Sequence, residues 1–364
     1  MLYMKWSLYI GQFRKIKVYI HWSFLVLLSF IVISQIKAGH TSTQIIWTVL
    51  YIFSIFACVV LHEFGHALVG QKFDVVTQDI ILLPIGGMAR MKKIPEDPKA
   101  ELLIAIAGPM VNVIIAGIII VVLVVTGKTI EVLIPTVVTK ETFIKNLLYI
   151  NVLLVVFNFL PAFPMDGGRV FRALMSFKFS RIKATRVAVQ VGQLVAIIFI
   201  ILGIYVNTWL VFIGIFVYLG AGAELGVENS KSYLHGHHVN EITMKNYTLL
   251  KENETLKSVI DKLLNGQEKE FIIVNKQQEV TGYVTMSYLL GALSKYGQNI
   301  TVDKIMLKNV LVISAKENLD DVWLKMTTEK ISIAAVQNEK GKIDGVLDLE
   351  NISEYLMIQK SLSV

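Results

Sequence analysis

Cysteine is nearly absent: Cys58 is the one thiol in 364 residues. That excludes a disulfide scaffold and any zinc site made of several thiolates, so a metal would have to be held by imidazoles and carboxylates. Charge is scarce too, at 17% of residues against 54% hydrophobic ones, and the mean hydropathy is +0.59. An ordinary soluble enzyme is not expected from that balance, and a disordered chain is excluded because disorder needs low hydrophobicity and high net charge. The net charge of +7 is unevenly spread, with 19 Lys+Arg against 10 Asp+Glu in residues 1–227 and 16 against 18 in 228–364. The excess sits with the apolar half, as in basic loops beside membrane spans, and no nucleic-acid partner is expected.

Apolar runs long enough to cross roughly 30 Å of hydrocarbon occur near 17–36, 44–70, 100–126, 144–165, 186–206 and 207–227. They predict a multi-span α-helical membrane protein of about six transmembrane helices. The last two are separated only by Asn207 and Thr208. With the amino terminus inside, the inner segments carry Lys5, Arg14, Lys15, Lys17, Lys72, Arg90, Lys92, Lys93, Lys99, Arg169, Arg172, Lys178, Arg181, Lys183 and Arg186. The outer loops carry Lys37, Lys128, Lys140 and Lys145. This bias predicts a multi-pass protein of the cell membrane with a cytoplasmic amino terminus. The first run lacks a small-residue cleavage site and is expected to be retained.

From about residue 228 the composition turns water-soluble and contains a repeat at an offset of 63. Val239-Asn240-Glu241-Ile242 recurs as Val302-Asp303-Lys304-Ile305, and Gly282-Tyr283-Val284 as Gly345-Val346-Leu347. Each copy reads as a helix-strand-strand-helix unit, with strands at 271–274 and 282–284, then 333–336 and 345–347. The expected division is 1–227 for the membrane part, 228–238 for a linker, and 239–298 and 299–364 for the two repeats.

The chemistry is concentrated in His62-Glu63-Phe64-Gly65-His66. On a helix, positions 62 and 66 face the same way one turn apart, so two imidazoles can bind one zinc ion with Glu63 beside them as general base. In a membrane span such residues are costly and rare unless functional. A third ligand is expected from Asn158-Phe159-Leu160-Pro161-Ala162-Phe163-Pro164-Met165-Asp166-Gly167-Gly168, where two prolines and two glycines break the fourth span. Backbone freed in that way is tolerated only in protein or beside a wet cavity, and Asp166 sits at the broken end. Elsewhere, His21 reads as an interface residue beside Trp22 and Cys58 as packing. His235-Gly236-His237-His238 reads as a solvated linker. Glu224 is either buried or reaches the cytoplasm.

These motifs resemble the site-2 proteases, the zinc intramembrane metalloproteases, in the branch with a carboxy-terminal cystathionine-beta-synthase (CBS) domain pair. The resemblance rests on His62-Glu63-x-x-His66 and on Asn158 eight residues before Asp166-Gly167, with weaker marks at Gly86-Gly87, Gly108-Pro109 and Asn112. It implies one zinc on His62, His66 and Asp166, Glu63 as base, Asn158 near the scissile carbonyl, and an α+β CBS pair at the carboxy terminus. It also implies hydrolysis of peptide bonds within or near the spans of membrane-anchored substrates, regulated by the CBS pair. The segment Gln78 to Lys93 is expected to be either a hairpin that adds an unwound substrate as a strand or a solvated basic loop. Adenine nucleotide is the usual CBS ligand, yet the first copy has Thr285 with Tyr288 and the second has Asp348 with Asn351, so neither keeps both the hydroxyl and the carboxylate. A purely structural pair that docks the protease or forms a homodimer is an equal alternative. The rival functions are a CBS-regulated transporter or channel and an inactive relative that binds membrane helices without cutting them.

Overall fold

The computed structural model describes residues 7–84, 86–91, 95–128, 137–266, 268–339 and 341–362. Lys5, Lys92 and Lys93 of the basic segments, and Ile85 of the 78–93 segment, lie outside the described residues. The chain divides into two compact units, Met1–Glu228 and Asn229–Val364.

In the first unit, the run expected as a span over 17–36 is a strand before it is a helix. β1 (Ser7–Phe13) and β2 (Ile16–His21) form an antiparallel hairpin, and α1 covers Trp22–Lys37. Ile16, Val18 and Ile20 alternate with Lys17 and Tyr19, which is the period of a strand with one buried face. His21 accepts from the Ser23 N–H at 3.3 Å and caps α1, with its ring 5.9 Å from that of Trp22. After α2 (Ser42–Gly70), β3 (Thr77–Leu83) pairs parallel with β2, and β4 (Gly86–Met91) pairs antiparallel with β3. The helical crossover through α1 and α2 makes the parallel pairing feasible. Within the 78–93 segment the described residues form an antiparallel strand pair rather than a loop, and β4 is an edge of the sheet β1-β2-β3-β4. Ile16 and Ile80 hold this sheet against Ala67 and Phe64 of α2.

Five helices follow: α3 (Pro98–Val125), α4 (Phe143–Asn158), α5 (Asp166–Ser176), α6 (Arg181–Tyr205) and α7 (Thr208–Leu234). Asp97 starts α3 by accepting from the Ala100 N–H at 2.9 Å, with Pro98 in the first turn, where its missing N–H costs nothing. Among the described residues α2, α3, α6 and α7 are long and apolar enough to cross a membrane. Ile118, Val121 and Val125 on α3, and Ile197, Ile201 and Ile204 on α6, are exposed, a surface suited to lipid. The helices α1 and α4 have 16 residues each, about 24 Å at 1.5 Å per residue, short of the hydrocarbon core. The expected membrane-helical class holds, and among the described residues the six apolar runs correspond to four long helices and two shorter ones. One run begins as a strand, and the other stops at the Pro/Gly break. α7 runs to Leu234, so much of the stretch expected as a linker is helix.

The second unit repeats itself. Its first copy is β5 (Leu249–Lys251), α8 (Leu256–Asn265), β6 (Glu270–Val274), β7 (Val280–Thr285) and α9 (Met286–Tyr296). Its second is β8 (Leu311–Ser314), α10 (Leu319–Glu329), β9 (Ile333–Gln337), β10 (Ile343–Asp348) and α11 (Leu349–Leu362). The last four elements of each copy begin 63 residues apart. Each copy has one more strand than expected, giving the sheets β5-β6-β7 and β8-β9-β10. The strands β5 and β8 are too short, at three and four residues, to show a period. Ile272, Ile333, Ala335 and Val346 form a cluster joining the two copies. One repeat alone would leave that face wet.

Candidate metal centre

α2 places His62 and His66 one turn apart on its buried face, 7% and 4% exposed. α4 ends at Asn158, and the chain between it and α5 contains a cis Phe163–Pro164 bond. Asp166 is the first residue of α5 and is buried. His62 Nε2 lies 3.1 Å from His66 Nε2 and 3.2 Å from Asp166 Oδ2, and His66 Nε2 lies 3.1 Å from the same oxygen. The three residues expected to meet do meet.

The far side of each ring decides what this triangle can hold. His62 Nδ1 donates to Asn112 Oδ1 at 2.6 Å, and His66 Nδ1 donates to the Ile104 carbonyl at 2.7 Å. Neutral rings so tautomerised turn two bare Nε2 lone pairs towards a carboxylate, three acceptors with no donor among them. A cation resolves that conflict. Tetrahedral zinc at about 2.0 Å from N and O ligands sets neighbouring ligand atoms about 3.3 Å apart, close to the sides observed, so the donor set and its spacing fit the metal the motif implies.

Asn112 Nδ2 in turn donates to Asn151 Oδ1 at 2.9 Å, and Asn151 Nδ2 donates to the Leu147 carbonyl at 2.8 Å and lies 3.5 Å from Cys58 Sγ. Asn112 and Asn151 are fully buried. The sequence motif marked Asn112 weakly and missed Asn151; its position in an apolar helix was the available signal, since a buried amide needs partners. Asn158 is half-buried and takes no part in this relay. Cys58 is a buried partner of the relay rather than mere packing.

Two glycines allow the close approaches the site requires. A Cβ on Gly108 of α3 would run into His66 Nε2 and come within 2.6 Å of His62 Nε2. A Cβ on Gly87 of β4 would lie 2.7 Å from Glu63 Cγ. Glu63, half-buried on α2, accepts from the Ala89 N–H of β4 at 3.3 Å. The edge strand therefore touches the expected base.

Behind the triad lies a charge network that the loop reading did not foresee. Arg172 of α5 was expected as a basic loop residue, but it is fully buried. It donates through Nε to Glu101 of α3 at 2.8 Å and through Nη1 to Glu224 of α7 at 2.5 Å. Arg181 of α6 donates to Glu101 at 2.9 Å, and its Nε lies 3.0 Å from Glu228 Oε1 as an ion pair outside aligned hydrogen-bond geometry. Four helices are tied together by these charges. The signal was the period of α5, whose Arg172 falls near Gly168 on a helix face rather than in a loop.

In the second unit, Thr285 and Asp348 serve as helix caps: Thr285 accepts from the Tyr288 N–H at 3.4 Å and Asp348 from the Asn351 N–H at 2.7 Å. His237 pairs with Glu241 at 2.7 Å and His235 with Asp320 at 3.4 Å. The only group of three or more metal-ligating residues among the described residues is His62, His66 and Asp166.

Residues 50–202 match Peptidase family M50 and residues 302–358 match the CBS domain. The zinc metalloprotease MJ0392 of Methanocaldococcus jannaschii is 30% identical over 98% of this chain and 97% of its own. The chain belongs to peptidase family M50, the site-2 proteases. Another relative, sll0528 of Synechocystis, is 24% identical over 97% of this chain and 96% of its own. The solved site-2 protease from Methanocaldococcus jannaschii is 35% identical, covering 60% of this chain and 95% of that one, with a TM-score of 0.44. This M50 chain is a membrane metalloprotease with a CBS domain at its carboxy-terminal end, and the transporter alternative falls away.

Proposed function

We propose that the chain is a zinc endopeptidase that cuts membrane-anchored proteins within or near their spans. The observation that carries this reading is the triangle of three acceptors beside a glutamate held by an open strand edge. His62, His66 and Asp166 would hold the zinc, which supplies a Lewis acid that polarises a peptide carbonyl and makes water more acidic. Glu63 takes the proton of the attacking water and passes it to the leaving amine. Asn158 is assigned to the scissile carbonyl. A helical substrate hides its carbonyls in its own hydrogen bonds, and pairing with β4 holds an unwound stretch extended next to Glu63. Gly86 has φ +135°, open to glycine but closed to proline. Gly86→Pro is therefore expected to abolish cleavage of a spanning substrate, and unchanged cleavage would dispose of the strand idea.

We infer from the basic segments a cytoplasmic amino terminus and a cytoplasmic second unit, where a CBS pair can regulate the protease or mediate a homodimer. The assignment is tested by purifying the chain, measuring zinc per protein, and incubating it in liposomes with a panel of single-span substrates. One zinc per chain with cleavage is expected. Zinc with no cleavage of any helical substrate would favour the inactive relative. Removing the acceptor that fixes the His62 ring should loosen the metal: Asn112→Leu is expected to weaken zinc about 10–100-fold, the usual effect of losing a group that orients a ligand. Competition with a chelator at fixed pH measures it.

A further inference from the structure

The two imidazoles of the metal centre reach their hydrogen-bond acceptors by different routes. His66 Nδ1 donates straight to a backbone carbonyl, that of Ile104, at 2.7 Å. A carbonyl can only accept, so that ring has one choice of tautomer and its Nε2 stays bare. His62 Nδ1 meets a side-chain amide instead, Asn112 of α3, at 2.6 Å. An amide offers an oxygen on one side and an NH2 on the other, and a half-turn about its last side-chain bond exchanges them. Were Asn112 turned over, its NH2 would donate to Nδ1, the ring proton would sit on Nε2, and His62 would have no lone pair for a metal. The direction of that amide therefore has to be held from behind.

Asn151 of α4 stands behind it, and both amides are fully buried. Asn151 Nδ2 donates to the Leu147 carbonyl one turn back on α4 at 2.8 Å, and the same nitrogen lies 3.5 Å from Cys58 Sγ of α2. The Leu147 carbonyl, like that of Ile104, can only accept. Reversing Asn151 would set two acceptors face to face and strand a buried NH2. With Nδ2 committed there, Oδ1 is left for Asn112, whose Nδ2 donates to it at 2.9 Å. That in turn leaves Asn112 Oδ1 for His62. The donors thus run one way, from His62 through Asn112 and Asn151 to a backbone carbonyl, and each amide takes its direction from the next. We propose that Asn151 is a positioning residue for the metal: it fixes the direction of Asn112 and thereby holds His62 in the tautomer whose Nε2 binds zinc.

The proposal rests on the reading of the site as a zinc centre, and its test reads metal binding and hydrogen exchange rather than cleavage. The full chain, labelled with heavy-nitrogen histidine, is loaded with zinc in detergent, and wild type is compared with Asn151→Leu and Asn151→Asp. In wild type the Nδ1–H protons of His62 and His66 are expected to exchange slowly with water. Asn151→Leu removes the acceptor that directs Asn112, so the zinc dissociation constant, from chelator competition at fixed pH, should rise about tenfold. The His62 N–H should then exchange faster while that of His66 does not change. Asn151→Asp loses the NH2 but keeps an oxygen for Asn112 whether ionised or protonated, so its zinc affinity should stay within about threefold of wild type. A residue that merely ties α4 to α3 would lower the unfolding temperature without moving either reading. Equal zinc affinity in wild type and Asn151→Leu overturns the proposal while leaving the metal centre standing, as does aspartate no better than leucine. Wild type that binds no zinc overturns the reading on which the proposal rests. If Asn151→Leu does not fold, Asn151→Val removes the same acceptor and is read in its place. A fast-exchanging His62 N–H in wild type decides against the proposal without any variant.

Discussion

Glu63→Gln is expected to leave zinc binding and thermal stability unchanged while lowering cleavage of a membrane-spanning substrate by about 10³-fold, within the 10²–10⁴ that a positioned acid–base group contributes. The isosteric amide keeps an oxygen that accepts the Ala89 N–H of β4, which Glu63 Oε2 accepts at 3.3 Å, so the hairpin has no reason to move. What is lost is the basic lone pair. None of the three cation-facing atoms belongs to Glu63, and metal content should therefore stay at the wild-type ratio. Cleavage within tenfold of wild type would remove Glu63 from the chemistry, and loss of metal would make it a ligand instead. Both readouts come from one preparation, by elemental analysis and by gel-resolved cleavage in liposomes.

Arg172→Met should be the most destabilising single change near the site. The side chain is fully buried and contacts two carboxylates, of which Glu101 is itself 1% exposed. Removing one partner of a buried ion pair leaves uncompensated charge and costs about 3–5 kcal/mol. Arg181 still pairs with Glu101, which sets the expected loss at the lower end. The damage also reaches the metal, because Arg172 lies on the same short helix that begins at Asp166. Zinc affinity should fall together with the unfolding temperature in detergent. Arg172→Met combined with Glu101→Gln should lose less than the single change, since one of the two carboxylates that lost Arg172 is then neutral and Arg181 keeps Glu228. An unfolding temperature equal to wild type would show that the network does not hold α5.

Much of the site was legible before any coordinates because its signals are local. The spacing of His62 and His66 follows from 3.6 residues per turn, and the glycines and prolines after Asn158 announce a helix end wherever they occur. The repeat in the second unit was legible for the same reason, since two copies of one pattern at one offset need no tertiary information. The hairpin was open between two readings, and Gly87 beside Glu63 now gives it a place at the site. The first sheet was misread because Tyr19 and Ile20 run straight into an apolar helix and hydropathy averages across the junction. Arg172 was misread because charge counts carry no burial. Its partners Glu101 and Glu224 are 71 and 52 residues away along the chain.

Sequence alone determined the membrane setting, the donor types at the metal centre and the tandem build of the soluble unit, because each is written in composition or in spacing along one element. Tertiary structure decided which distant groups meet: Asn112 and Asn151 behind His62, the strand edge at Glu63, and the buried arginine behind Asp166. Those pairings depend on helices and strands approaching within a few ångströms, and the chain specifies that approach through packing summed over many side chains rather than through any short motif.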